Sequence, residues 1–306
     1  MTDLFAVVGM RVFERGWLSC NNILFPGDDN NEAVLVDTGY CVHAEQTVSL
    51  VRRALGARFL DRVINTHLHS DHCGGNQALQ LAFDCFIDVP AGEASKVDRW
   101  DESALTFNAT GQHCPRFRRT GLIQASDEVV LGGRHWQVIA APGHDPESVV
   151  LYEPEFGVLL SADALWENGF GVVFPEIEGI AAFETVRQTL NRIAELRVQY
   201  VIPGHGRPFT DFHDAITRAQ RRLDGFAHDP AKHALYAAKV LVKFHLLEIR
   251  CVSTRDLAEW MQSTPYLQLV HTRYFGGDFT SWCSSIVDSL VLSGAAHREA
   301  GIVIDR

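Results

Sequence analysis

The sequence predicts an α+β fold, with a larger domain over residues 1–225 and a smaller, mostly helical domain over 226–306. Three observations predict it. Strand-like apolar groups crowd roughly the first 40 residues, strands and helices then alternate as far as His205, and from Asp211 the texture is mostly helical. A chain of 306 residues is long enough for one large core and a companion.

In order along the chain, "FAVVGMRVF", "NNILF" and "AVLVDTGY" are separated by Gly16 and by the acidic turn "PGDDNNE", the pattern of an antiparallel opening. "HAEQTVSLVRRAL" (His43 to Leu55) follows with Val48, Val51 and Leu55 on one helical face, and "FLDRVINT" (Phe59 to Thr66) reads as a buried strand. Next come a helix at "NQALQLAF" and a strand at "CFIDVP". From Ala91 to Ala125 no period is sustained, and a segment that long inside a compact domain is commonly a lid or a surface excursion. "EVVLGGRHWQVIAAPGH", "SVVLYEPEFGVLLSADALW" and "YVIPGH" supply further strands, each followed by histidine or aspartate. The amphipathic helix "AAFETVRQTLNRIAEL" (Ala181 to Leu196) lies between the last two. In the tail, "DAITRAQRRLDGFA" and "KHALYAAKVLVKFHLLEIR" predict helices, Ser253 or Thr254 caps another, and the stretch from Ser281 reads as helix, turn and hairpin.

A formal net charge of -11 argues against a general nucleic-acid-binding surface, which needs clustered Lys and Arg. Asp3 stands where a secretory signal would carry positive charge, and no apolar run nears the roughly 18 residues of a membrane span. A cytoplasmic protein without membrane contact is therefore expected. The 7 cysteines, odd in number and never in a C-x-x-C pair, suggest neither a disulfide framework nor a cysteine-only zinc site. Cys73, beside His72, is expected merely to pack.

The stretch "INTHLHSDHCGGN" holds three histidines and an aspartate between His67 and His72. Zinc and related divalent ions take imidazole nitrogen and carboxylate oxygen, so this density points to metal. His67 and His69, two residues apart, can face one ion; Asp71 and His72, at the turn into the next helix, can face a second. Gly74 and Gly75 let the backbone pass close beneath without a Cβ clash. His144 in "APGHD", Asp163 in "LLSADAL" and His205 in "VIPGHG" each leave an apolar strand, where ligands from separate strands can converge.

This constellation resembles the metallo-β-lactamase superfamily over roughly residues 10 to 210: the H-x-H-x-D-H motif as His67, His69, Asp71 and His72, then His144, Asp163 and His205 in order. The "VLVDTG" segment is similar to the family's early aspartate motif, giving Asp37 a supporting role. The resemblance implies the four-layer αβ/βα sandwich, with His67, His69 and His144 on one ion, Asp71, His72 and His205 on a second, and Asp163 bridging them. It implies two divalent metal ions, zinc first with iron or manganese as alternatives, and a bridging hydroxide that Asp71 steers onto a carbonyl carbon. Asp163 and the absence of an export signal set the chain apart from true β-lactamases, and His69 from redox diiron members. What remains resembles glyoxalase II-like and lactonase-like hydrolases of a small ester, thioester or lactone.

The alternatives are a single-strand RNA endonuclease of the same superfamily, suggested by a winged-helix-like tail, and a mononuclear-iron persulfide dioxygenase. The expected partner is a small-molecule substrate rather than nucleic acid, with the tail either closing the pocket or forming a homodimer. Trp166 and Phe170 could line the cleft or fill the core beneath it, and Arg116, Arg118, Arg119 and His113 could greet an anionic substrate or simply be solvated.

Overall fold

A computed structural model of the chain describes residues 8–306. The strands β1 (Arg11–Phe13), β2 (Asn22–Phe25), β3 (Val34–Val36), β4 (Arg62–Ile64), β5 (Phe86–Pro90) and β6 (Gly121–Ile123) lie in that order in one sheet. Its first three strands are antiparallel, as the opening pattern predicts, and β3 to β6 run parallel. The second sheet holds β7 (Glu128–Leu131), β8 (Arg134–Ala140), β9 (Val149–Glu153) and β10 (Val158–Ala162) as antiparallel neighbours. β11 (Tyr200–Pro203) joins β10 in parallel after a crossover through the helix Phe183–Ala194.

Side chains alternate across a strand, so each sheet has an inner and an outer face. Leu151 and Leu160 turn inward and meet Phe25, Val36, Ile64 and Trp136 in the core between the sheets. Val150, Tyr152 and Leu159 turn outward onto the helices Phe183–Ala194 and Phe212–His228. On the other side Leu35, Val63 and Ile87 pack on Ala44–Leu55, through Val48, Val51 and Leu55, and on Asn76–Phe83 through Leu79. The layers run helix, sheet, sheet, helix, which is the expected sandwich. Each of these apolar side chains contributes about 1.5–3 kcal/mol when taken fully out of water.

Some elements are shorter than their patterns. The strand expected over Phe59 to Thr66 is confined to β4, because Phe59 is 72% exposed and only the chain from Arg62 onward pairs with β3. Of the first apolar group only β1 pairs, and Phe5 to Val7 lie outside the described residues. The aperiodic segment resolves into a 3-10 turn, the helices Ala94–Arg99 and Phe107–Thr110, and β6. Each piece is too short to show a period.

Residue 225 falls inside the helix Phe212–His228, and the chain breaks direction at Asp229, whose side chain caps the helix Pro230–Ile249 by accepting from the Lys232 N–H. A short strand that sequence patterns missed, β12 (Cys251–Ser253), then pairs with the terminal hairpin β13 (Ala296–Glu299) and β14 (Ile302–Asp305), in the order β12-β14-β13. Ser253 caps Thr254–Ser263 as expected. Leu241, Leu257, Leu267 and Ile286 form the core of this part, and Phe174 and Ile177, from the chain after β10, are packed into it. Among the described residues no helix is long and apolar enough to cross a membrane.

Candidate metal centre

All seven acids and histidines singled out above meet at one edge of the sandwich. Ligand atoms of His67, His69 and His144 lie within 4.8 Å of one another, as do those of Asp71, His72 and His205, and those of His67, His72 and Asp163. Asp163 stands between the groups, with Oδ1 3.4 Å from His72 Nε2 and Oδ2 3.3 Å from His144 Nε2 and 3.8 Å from His205 Nε2. His69 Nδ1 faces His144 Nε2 at 2.8 Å, and His205 Nε2 faces Asp71 Oδ2 at 3.0 Å.

The chain delivers these groups from strand ends. His67 follows β4, and the Val149 N–H donates to the Thr66 carbonyl at 2.9 Å, tying the first sheet to the second beside the site. Asp163 immediately follows β10, and the loop after β11 is held by Asn21, whose side-chain amide donates to the carbonyls of Pro203 and Gly206. Under the opening cluster, a Cβ on Gly74 would come within 2.5 Å of the Cys41 nitrogen, and one on Gly75 within 2.6 Å of the Thr38 oxygen. Only glycine permits that approach.

A second layer of groups fixes ring orientation. His72 Nδ1 donates to Asp37 Oδ2 at 2.8 Å, and Asp37 also accepts from the Thr66 N–H and hydroxyl, at 2.8 and 2.7 Å. His144 Nδ1 donates to the Val172 carbonyl at 2.5 Å, which leaves Nε2 facing Asp163. Trp166 Nε1 donates to Asp163 Oδ1 at 3.1 Å.

The electrostatics calls for positive charge. Burial, reinforced by neighbouring imidazoles, drives His67 well below the ordinary histidine range. Burial likewise lowers His69 and His144 to about 4, so all three rings are neutral near pH 7. His72 goes the other way: burial opposes its charge, yet Cys20, Asp163, Asp37 and Asp71 together raise it well above the usual value. Burial also opposes the charge on Asp163 and Asp71, but His205 and His72 hold Asp163 well below the carboxylate range, and His72 and His205 lower Asp71. The neutral rings of His67, His69 and His144 beside ionised carboxylates are a donor set that divalent cations take, and the negative charge that draws a proton onto His72 would equally favour a cation there. The Nε2 atoms of His67 and His72 are buried without any hydrogen-bond partner, a costly condition that a coordinated cation would relieve. The residues present therefore fit the metals that the sequence implies.

Two cavities share His69, His144 and Phe174 in their walls. One, of about 250 Å³, is lined by charged groups that include Glu93, Lys96, Asp145 and Glu178. The other, of about 80 Å³, is lined largely by apolar side chains and reaches Asp71, Asp163 and His205. Trp166 belongs to this second wall, whereas Phe170 is buried against Phe226 in the core. Arg116, Arg118, Arg119 and His113 line neither cavity, and Arg119 is paired with Asp98 at 2.5 Å. Cys73 packs with its sulfur 3.6 Å from that of Cys114.

Sequence reasoning missed several neighbours. A ligand atom of Cys20 lies within 4.8 Å of those of Asp37 and His72, and burial raises its thiol to about 11. Trp17 stacks on His205 with ring centres 5.5 Å apart and planes 6° from parallel. Both precede the motif by about 50 residues, and no local pattern marks them. The acidic sequence "GHD" around Asp145 was the one available signal for the charged cavity.

Comparison with known proteins agrees with the geometry. The family model described as "Metallo-beta-lactamase superfamily" matches residues 15–205. A hydroxyacylglutathione hydrolase of Hyphomonas neptunium is 33% identical over 137 residues, 45% of this chain and 44% of that one. Its namesake from Rhizobium meliloti is 31% identical over 159 residues, 52% and 53% of the two chains. The chain thus spans about half the length of the curated relatives it matches. The fold of a beta-lactamase domain protein from Burkholderia ambifaria is similar over 97% of this chain and 92% of that one, with a TM-score of 0.58 at 22% identity. On the matched residues and the architecture, the chain belongs to the metallo-beta-lactamase superfamily.

Proposed function

We propose that this protein is a metal-dependent hydrolase of a small ester, thioester or lactone. In this reading His67, His69 and His144 hold one divalent cation, Asp71, His72 and His205 hold a second, and Asp163 is shared. The observation that carries it is the pair of orphaned, fully buried Nε2 atoms of His67 and His72 grouped with an ionised Asp163. When bound, such a pair of cations lowers the pKa of water toward about 7 and polarises a carbonyl.

The chain's own groups have separate tasks. Asp71, kept ionised by His72 and His205, offers a carboxylate oxygen to accept a hydrogen bond from the attacking water and to aim it. His144 is held in one tautomer by the Val172 carbonyl, and His72 by Asp37. Phe174 and the helix Pro230–Ile249 limit solvent around the reacting bond. The names of the curated relatives support the hydrolase reading, and zinc is the metal expected.

The test is metal analysis of the purified protein, followed by a panel of thioesters, esters, lactones, phosphodiesters and RNA. Two zinc or manganese ions per chain with turnover of a thioester, ester or lactone is the expected result. A single iron with persulfide-dependent oxygen uptake, or salt-sensitive RNA cleavage without ester turnover, would overturn it.

A further inference from the structure

Resting on that hydrolytic reading, we infer that a cationic cavity outside the metal centre holds a phosphorylated carrier group of the substrate, while the scissile carbonyl lies at the metals. The cavity, of about 420 Å³, opens between the helices Phe212–His228 and Pro230–Ile249. Arg221 and Arg222 line it from the first helix and Lys232 and Lys239 from the second, with no aspartate or glutamate in the wall.

This charge is not spent within the chain. Arg218 and Lys243, on the same two helices, hold Asp211 and Asp305 at 2.6 and 2.5 Å. The acids near the cavity are committed elsewhere, Asp224 to Arg187 at 2.8 Å and Asp229 to the Lys232 N–H as a helix cap. Four cations gathered without a counter-charge repel one another, a cost that a bound anion relieves. In a chain of net charge -11 such a cluster is not a by-product of composition.

Arg222 is the most prepared of the four. Its guanidinium carbon stands 4.4 Å from the centre of the Tyr236 ring and 5.2 Å from that of Phe226, which fixes the plane. Its Nη1 reaches the Asn168 carbonyl at only 3.4 Å, and its Nε is buried with no hydrogen-bond partner. A planar fork with donors to spare suits phosphate oxygens. Gly225, in the middle of its helix, also lines the cavity, and a Cβ there would meet nothing within 4 Å. Alanine would be the better helix former and no neighbour forbids it, so glycine leaves the floor open.

Charge and position name the ligand. A phosphate monoester carries about -1.5 to -2 at pH 7, so four cations match about two phosphates and exceed what a single carboxylate offers. One loop separates the cavity from the metal centre. Trp166 Nε1 donates to Asp163, the Trp166 N–H donates to the Gly169 carbonyl, and a Cβ on Gly169 would come within 2.8 Å of Arg222 Cδ. Burial raises the Tyr236 hydroxyl, Arg222 lowers it and Asp163 raises it again, so this wall lies within electrostatic range of the shared carboxylate. A phosphate held across that loop stands several atoms from the scissile carbonyl, the arrangement of a long carrier thiol or alcohol rather than of a compact acyl part.

The experiment compares the metal-loaded full chain on acetyl-coenzyme A and on acetylpantetheine, which share the acyl group and differ in phosphates, and measures binding of adenosine 3′,5′-bisphosphate by calorimetry. The phosphorylated thioester should show a KM about tenfold lower, and added salt should erode that advantage. Arg221→Gln combined with Lys239→Gln should bring the KM ratio toward one and weaken the bisphosphate about tenfold. Gly225→Leu, which fills the cavity without changing its charge, should do the same. Equal KM values, or bisphosphate binding undiminished in both variants, would overturn the site. Single-stranded RNA bound through these residues, without any preference for the phosphorylated thioester, would also overturn it. Bisphosphate binding lost in both variants, in a protein that hydrolyses no ester or thioester, would uphold the cavity and sink the hydrolytic reading instead.

Discussion

His72 Nδ1 lies 2.8 Å from Asp37 Oδ2, and the aspartate's remaining hydrogen bonds run to Thr66, one residue before His67. One buried carboxylate thus sets the ring of His72 and the strand end that presents His67.

Asp37→Asn isolates that charge. Asp37 has a φ of 56°, a left-handed conformation that asparagine also tolerates, so the backbone is preserved. The amide cannot act as an anionic partner for His72 Nδ1. Metal affinity should fall by about 10–100-fold, the usual cost of losing an outer-shell partner, with little change in circular dichroism. A metal-competition titration checks this, and unchanged affinity would remove Asp37 from the machinery.

Asp163→Asn should be more severe. The carboxylate faces His72, His144 and His205 at 3.3 to 3.8 Å, and an amide cannot supply an anion between two cations. Turnover should drop by more than about 100-fold, beyond the outer-shell range, with metal content falling below two per chain. Cys73→Ala is the control: its sulfur contacts Cys114 and the Leu68 carbonyl, and metal content should stay normal. Normal metal content and rate in Asp163→Asn would end the two-cation assignment.

The proposed ligands were legible because each follows an apolar strand, His144 and His205 directly after a Pro-Gly turn and the opening cluster just before Gly74 and Gly75, so strand ends and chemistry coincide locally. Asp37 was legible as a supporting acid only through its motif. Cys20 and Trp17 were not legible: they reach the site through the pairing of β2 with β3 and the loop held by Asn21, both long-range relations. The Ala91 to Ala125 segment was opaque for a different reason. Its helices are of six and four residues, too short for a helical face to repeat, and its Glu93 and Lys96 acquire meaning only from the cavity they share with Asp145 and Glu178.

Gly204→Ala tests how closely the last loop is fitted to the site. A Cβ there would stand 2.2 Å from Asp163 Oδ1 and 3.0 Å from His72 Cε1. Overpacking of this kind typically costs about 1–3 kcal/mol, and here the strain falls on the shared carboxylate. The variant should fold with a modestly lower Tm but lose metal affinity disproportionately, as calorimetry with and without added zinc would show. Equal stabilisation of variant and parent by zinc would contradict it.

His233 gives a pH dependence separate from the metal cluster. It is 1% exposed, and its Nε2 accepts from the Val173 N–H at 3.1 Å, which requires the neutral ring on that side. Burial, then Arg222, lowers its pKa from 6.5 to about 4. The unfolded chain therefore binds a proton between those values that the folded chain refuses, and stability falls as pH drops from about 6.5 to about 4. Above pH 6.5 the ring is neutral in both states and contributes no slope. The full difference amounts to about 3 kcal/mol at 1.36 kcal/mol per unit. His233→Gln keeps an acceptor for Val173 and removes the titration. Urea unfolding of parent and variant at pH 7.5, 6, 5 and 4 should show the parent losing stability faster, and parallel curves would mean that His233 accepts a proton without cost in the folded state.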